Sequence, residues 1–303
     1  MDTKPKSKGP VDITKSCVTI NLNITIYTGN KTVLSLAEEI ARKHGGLVEA
    51  MKGTAAAMDR NDRLSVQRIA LQARAFLKEH SLSWDDNGTR LVKASEFQHV
   101  KDELVSFQAE FNKAVNKLCA GHDALVKTAK QRVGDLFEHV DFPASSKEFK
   151  AKYSFDFTVG KLQDTDADIR IAGLSKAQAE ELKQSMVTDY AAKTQRVKQE
   201  VVKRLEDVIG KMAKTLRKKQ VELVDGSKGV LFRDSLIENV RELAEIAPSL
   251  NVTRSAKVAD AIAAMTKLVQ DTKAQDVRDN KKLRANKAKE ASKIAADLRD
   301  IKW

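Results

Sequence analysis

Two groups of basic side chains in the C-terminal half of the chain are the residues best suited to chemistry. The first group consists of Lys211, Lys214, Arg217, Lys218 and Lys219. The second group consists of Lys281, Lys282, Arg284, Lys287 and Lys289. Such clusters bind phosphates or acidic protein surfaces through charge attraction and counterion release. The alternative is a solvated helix face, because cations near a helix C-terminus also complement the helix dipole.

The charge of the whole chain favours an anionic partner. The 303 residues include 54 Lys and Arg against 42 Asp and Glu, which gives a net charge of +12. Residues 193–219 alone contain 10 basic and 3 acidic side chains. No aromatic residue lies among the lysines of either group, which argues against stacking on nucleic-acid bases. Any contact with nucleic acid should therefore be independent of its sequence.

Other reactive residues do not complete a catalytic or metal site. Cys119 and His122 have the spacing of half a zinc site, but a second pair does not follow. Asp164, Asp166 and Asp168 alternate like the start of a calcium loop that lacks its glycine and glutamate. A nucleophile, a base and an orienting group cannot be assembled from the spacing. We therefore expect a protein that is not an enzyme and that has neither a metal site nor a cofactor.

Alternating side chains predict a small antiparallel sheet. Apolar and polar residues alternate over 18–26 and again over 153–159, and a shorter echo surrounds Arg170. A single strand cannot satisfy its own backbone, so we expect these three segments to pair. Residues 84–88 predict a tight turn.

Apolar residues at helical spacing predict helices over most of the remaining chain. Pairs of serine with Glu or Gln three residues later mark helix starts at Ser35, Ser95, Ser145 and Ser175. The predicted helices cover residues 33–44, 47–58, 62–79, 95–121, 125–143, 175–220 and 231–247, with one or two more over 254–302. We expect Pro143 and Pro248 to end the helices that precede them.

The longest predicted helix runs from 175 to about 220. At about 1.5 Å per residue it would be roughly 65 to 70 Å long. Its helix-packing residues, which should face a returning helix or a second subunit, are Val201, Leu205, Val208 and Met212. We expect a coiled-coil-like helical arm, and we expect the alanine-rich seam of the last helix to pack weakly.

These patterns predict a mainly α fold with a small antiparallel β-sheet, in the α+β class. Residues 1–15 should be a flexible tail, 16–174 a globular helical base with the sheet, and 175–303 a helical arm or bundle with the basic clusters. The sequence contains neither an apolar run of about 18 residues nor a signal-peptide pattern, so we expect no membrane contact. Two cysteines indicate a reducing compartment, and we expect a cytoplasmic protein.

Two segments carry a family resemblance. The strand that runs into Tyr27-Thr28-Gly29-Asn30-Lys31, and Phe142-Pro143 followed by Phe149 and the strand at 153–157, resemble an uncharacterised family of phage and mobile-element proteins. Its members are often encoded beside a MoxR-type AAA+ ATPase and a von Willebrand A-domain protein that resembles cobaltochelatase subunits. The resemblance implies a non-catalytic partner in an ATPase-linked assembly, located in the host cytoplasm if the chain is phage-encoded.

Three functions remain as alternatives. The first is a non-enzymatic helical interaction or adaptor protein of a phage or mobile-element complex, working with an AAA+ ATPase. The second is a sequence-independent nucleic-acid-binding protein, and the third is a virion or scaffolding structural protein. The expected partners are a protein, which could be the ATPase or a second copy of the chain, and nucleic acid.

Overall fold

The computed structural model describes residues 13–162, 174–218, 221–222, 228–229 and 232–301. The helices are α1 Leu34–His44, α2 Arg60–Glu79, α3 Phe97–Ala120, α4 His122–Val133, α5 Ser146–Ala151, α6 Lys176–Leu216, α7 Ser235–Leu250, α8 Ala256–Val269, α9 Ala274–Asp279 and α10 Lys281–Arg299. The strands are β1 Cys17–Thr25, β2 Asn30–Thr32, β3 Thr54–Ala56, β4 Leu82–Ser83, β5 Thr89–Lys93, β6 Ser154–Lys161, β7 Val221–Glu222 and β8 Lys228–Gly229. Short 3-10 helices lie at Ile13–Lys15, Val48–Ala50 and Gly134–His139. The expected mainly α fold with a small antiparallel sheet is confirmed.

The predicted pairing of the two long strands is confirmed. A four-stranded sheet has the order β4-β5-β1-β6, so β1 and β6 are neighbours. Ile20 and Ile24 are buried on the apolar face of β1, as the alternation predicts. The third predicted segment, around Arg170, lies outside the described residues. The hairpin of β4 and β5 supplies the other two strands, and the predicted turn at 84–88 connects them.

The helix predicted over 47–58 is wrong. That segment contains a 3-10 turn at Val48–Ala50 and then β3, which pairs antiparallel with β2. The backbone at Gly53 lies so close to α1 that an added Cβ would be only 2.2 Å from the Cβ of Leu36. The Val33 amide also donates to the Gly53 carbonyl at 2.9 Å. This non-local packing holds the segment extended.

Several helix ends differ from the sequence prediction. Ser145 and Ser175 cap their helices as predicted, but α1 has Val33 at its N-cap rather than Ser35. The helix expected to continue to Pro143 ends at Gly134, whose positive φ of 54° stops α4. The expectation that Pro248 ends its helix is wrong, since α7 continues to Leu250. A proline this close to a C-terminus interrupts little of the helix.

The chain folds into two compact units. The first contains the described residues within 1–20, 78–98 and 159–303, and the second contains 21–77 and 99–158. The boundaries therefore fall inside β1, α2, α3 and β6, not at residue 174. The hairpin of β4 and β5 groups with the C-terminal helices instead of with the rest of the expected base.

Arginine and glutamate side chains hold that hairpin against α6. Arg90 Nε donates to Ser81 Oγ at 2.9 Å, and Arg90 lies 3.7 Å from Glu200. Glu200 also accepts from the Ser83 amide at 2.7 Å and pairs with Arg204 one turn later on α6. Because these groups are largely buried, they must satisfy one another, and this requirement fixes the hairpin on the helix.

The packing seam of α6 faces helices of the same chain. Val201, Leu205 and Met212 are buried in the core of the first unit, and Val208 is half-buried against it. Before Val197, α6 buries no residue. The expectation that the seam of α10 packs weakly is wrong, because its residues are buried in the same core: Ala288, Ala291, Ala295 and Leu298.

Candidate polyanion-binding groove

Antiparallel packing of α6 and α10 brings the two basic groups together. Arg299, at the end of α10, donates from Nε to Glu206, which lies ten residues before the end of α6, at 2.6 Å. The end of α6 therefore lies beside the beginning of α10. A groove of about 410 Å³ opens there, and we call it the basic groove; it is lined by Leu216, Arg217, Lys218, Lys281, Arg284, Ala285, Ala288 and Lys289. Residues from both sequence-predicted groups contribute to it.

Exposed cations line the basic groove from both helices. Arg217 and Lys218 directly follow the end of α6, whereas Lys281 and Lys289 come from α10. The lining contains no carboxylate, and none of these four side chains forms an ion pair with another described residue. Uncompensated positive charge from two directions attracts an anion more strongly than isolated surface lysines do.

Apolar residues separate these cations. Ala285 and Ala288 belong to α10, and the buried Leu216 ends α6. The short alanine side chains leave space for a tetrahedral anion between the basic residues. The absence of an aromatic ring from the lining also means that the basic groove offers no platform for stacking a base.

Arg284 has a different position from the other cations. Its side chain lines the basic groove although only 5% of the residue is exposed. Nη1 donates to the Val277 and Arg278 carbonyls, at 3.4 and 3.0 Å, near the end of α9. Nε and Nη2 form no hydrogen bond with the described residues. The guanidinium is thus held in place with donors remaining, an arrangement that suits phosphate or carboxylate recognition.

The other predicted site residues do not line the basic groove. Lys211, Lys214 and Lys282 are exposed on the same two helices. Lys287 instead caps α8, donating from Nζ to the Leu268 carbonyl at 2.7 Å. Lys219 lies outside the described residues.

The cysteine and histidine candidates are structural in the described part of the chain. His122 is buried, and its Nε2 lies 3.0 Å from the Pro143 carbonyl. Burial raises the pKa of the Cys17 and Cys119 thiols, which disfavours the reactive thiolate. Among the described residues, no group of three or more His, Cys, Asp or Glu could hold a metal ion. Asp164, Asp166 and Asp168 lie outside them.

Comparisons of the chain with protein-family models, curated proteins and solved structures found no match. Across the described ranges, none of the helices combines the length and apolar character needed to cross a membrane.

The sequence identified the basic residues but not the groove that some of them line together. Leu216, Ala285 and Ala288 carry no signal for binding, because small and apolar residues on a helix usually indicate only packing. The position of Arg284 was also missed, since its burial depends on where α9 ends. The antiparallel register of α6 and α10, which creates the basic groove, is a property of the tertiary structure.

Proposed function

We propose that this chain is a non-enzymatic interaction protein that binds nucleic acid, independently of sequence, through phosphates held in the basic groove. One observation supports this proposal above the others. Two basic groups that are separated by more than 60 residues line a single groove without a carboxylate. A polyanion with regularly repeated charges can contact cations from both helices at once.

The residues of the basic groove can contribute to phosphate binding in two ways. Arg284 presents a fixed fork of donors that can engage phosphate oxygens with little loss of side-chain entropy. Lys281, Lys289, Arg217 and Lys218 add charge from flexible, exposed positions. Such contacts position a phosphate backbone but do not read bases. Binding should consequently weaken steeply as salt rises.

A second candidate is the adaptor function. Exposed leucines on α2, described below, support it, because an apolar face on a charged helix is typical of a protein interface. The family resemblance extends this proposal to a phage or mobile-element complex in the host cytoplasm, with an AAA+ ATPase as the partner. Both functions can belong to one protein that links nucleic acid to another protein.

The basic groove can be tested with two matched pairs of substitutions. Lys281→Gln with Lys289→Gln removes two charges from the groove, and Lys257→Gln with Lys267→Gln removes two exposed charges from α8. Fluorescence anisotropy with labelled duplex and homopolymer DNA would measure affinity at about 0.1 M salt. We expect the double variant in the basic groove to lose roughly tenfold or more in DNA affinity, and the double variant in α8 to lose far less. Equal losses for the two pairs would show that only net charge matters and would contradict the proposal.

A further inference from the structure

The helix α2 has apolar residues on the side that faces solvent as well as on its core side. Its buried stripe is formed by Val66, Ala70, Ala73 and Leu77. On the opposite side, Leu64 is 42% exposed and Leu71 is 65% exposed. Two leucines left in water on one helix cost hydrophobic free energy that docking of another surface would recover.

These leucines lie on the solvent-facing side of α2. We call this surface the α2 face; it includes Arg60, Leu64, Gln67, Arg68, Leu71 and Gln72. Leu64 and Leu71 are seven residues apart, which is the heptad spacing of a helix-pairing seam. The spacing therefore fits an amphipathic helix packed along α2.

Charge determines what kind of helix the α2 face fits. Arg60 and Arg68 lie beside the leucines and form no ion pair with another described residue. The α2 face contains no carboxylate. The neighbouring arginines of α2 are already used, since Arg63 donates to the Thr28 carbonyl and Arg74 to the Ile24 carbonyl. A second copy of α2 would bring like charges together. We propose that the α2 face binds an acidic amphipathic helix of a partner protein.

This inference rests on the proposed adaptor function, and it can be tested apart from nucleic-acid binding because the basic groove and the α2 face belong to different units. The probe is a synthetic helical peptide with leucines at heptad spacing and glutamates beside them, and a sibling peptide carries lysines instead. We expect the full-length protein to bind the acidic peptide and not the basic one. Leu71→Ser should weaken binding by about tenfold or more, the contribution of one buried leucine.

Two variants serve as controls for that experiment. Leu34→Ser removes a leucine of almost equal exposure, 66%, from α1, and it should leave peptide binding unchanged. The Lys281→Gln, Lys289→Gln protein should also retain binding, since its changes lie in the basic groove. Arg68→Glu should weaken binding of the acidic peptide and strengthen binding of the basic one. Loss of folding could not produce this reversal.

Three results would overturn the proposal. The first is equal affinity for the acidic and basic peptides, or no binding of either one. The second is loss of peptide binding in the groove variant but not in Leu71→Ser, because the peptide would then occupy the basic groove. The third is a dimer, detected by light scattering, that Leu71→Ser dissociates, since the α2 face would then be an interface between copies of this chain.

Discussion

Burial distinguishes Arg284 from the other cations of the basic groove. Lys281 and Lys289 are exposed and flexible, whereas the Arg284 guanidinium is fixed by two carbonyls near the end of α9. One residue therefore supports the fold and faces the proposed ligand. A lysine cannot reproduce this arrangement, because it has a single ammonium group instead of a planar fork.

Replacement of Arg284 should reveal this structural role. Arg284→Lys keeps the charge but leaves carbonyls of α9 without their donor, so we expect a loss of about 1 to 3 kcal/mol in the free energy of unfolding. Lys282→Gln, an exposed change two residues earlier, should cost no more than about 0.5 kcal/mol. Urea denaturation measures both. Equal stability of Arg284→Lys and the parent would refute this role.

The turn of the β4–β5 hairpin depends on one carboxylate. Burial opposes ionisation of Asp85, but hydrogen bonds from Thr89 and Asn87 outweigh it and lower the pKa below its ordinary value. The ionised form therefore stabilises the fold above about pH 4, and the stabilisation is lost as pH falls through the folded pKa.

Substitution of Asp85 should consequently have a pH-dependent effect. Asp85→Ala should lower Tm at pH 7, and the difference from the parent should shrink below about pH 4. Asp86→Ala, which removes only an exposed pair with Arg196, should lower Tm less. Thermal melts at several pH values test this, and a Tm difference that does not change with pH would contradict it.

At the scale of elements, local periodicity predicts which long strands and helices form, but it does not predict segments that depend on contacts with distant parts of the chain. The alternation in β1 and β6 and the long stripe of α6 are local patterns, and the structure contains those elements. The segment 47–58 was predicted wrongly because the close approach of Gly53 to Leu36 comes from elsewhere in the chain. The β4–β5 hairpin was missed because its strands are short and depend on Glu200 of α6.

Strand β6 offers a matched pair of substitutions. Phe155 is buried and its ring centroid lies 5.5 Å from that of Phe111, whereas Val159 is 47% exposed. Phe155→Ala should cost about 3 to 5 kcal/mol because it leaves a cavity. Val159→Ala should cost about 0.5 kcal/mol or less. Similar costs for the two, measured by denaturant titration, would show that the sheet does not bury the face containing Phe155.

The two halves of α6 should differ in stability. Buried residues begin at Val197, and Tyr190, two turns earlier, packs on Trp84 against the same core, so the amides of 190–216 are protected, whereas those of 176–189 depend mainly on helix propensity and the cap at Ser175. Hydrogen exchange should therefore be much slower in the second half. Uniform exchange along the helix would mean that its first half has a packing partner in solution.

At the scale of the whole molecule, the candidate site depends on packing. Sequence alone located both basic groups, because charge density is visible without a structure. It could not show that the end of α6 lies beside the beginning of α10, since that requires the shared core of Leu205, Met212 and Ala288. It also could not separate the cations lining the basic groove from Lys287, which caps α8.

The salt dependence of DNA binding tests the central claim most directly. The variant replaces the four exposed cations of the basic groove with glutamine: Arg217, Lys218, Lys281 and Lys289. The slope of log affinity against log salt should flatten by about 0.7 to 0.9 for each phosphate that the variant no longer neutralises, while circular dichroism shows an intact fold. An unchanged slope and affinity in this variant, or no binding by the parent at low salt, would contradict the claim that the basic groove binds nucleic acid.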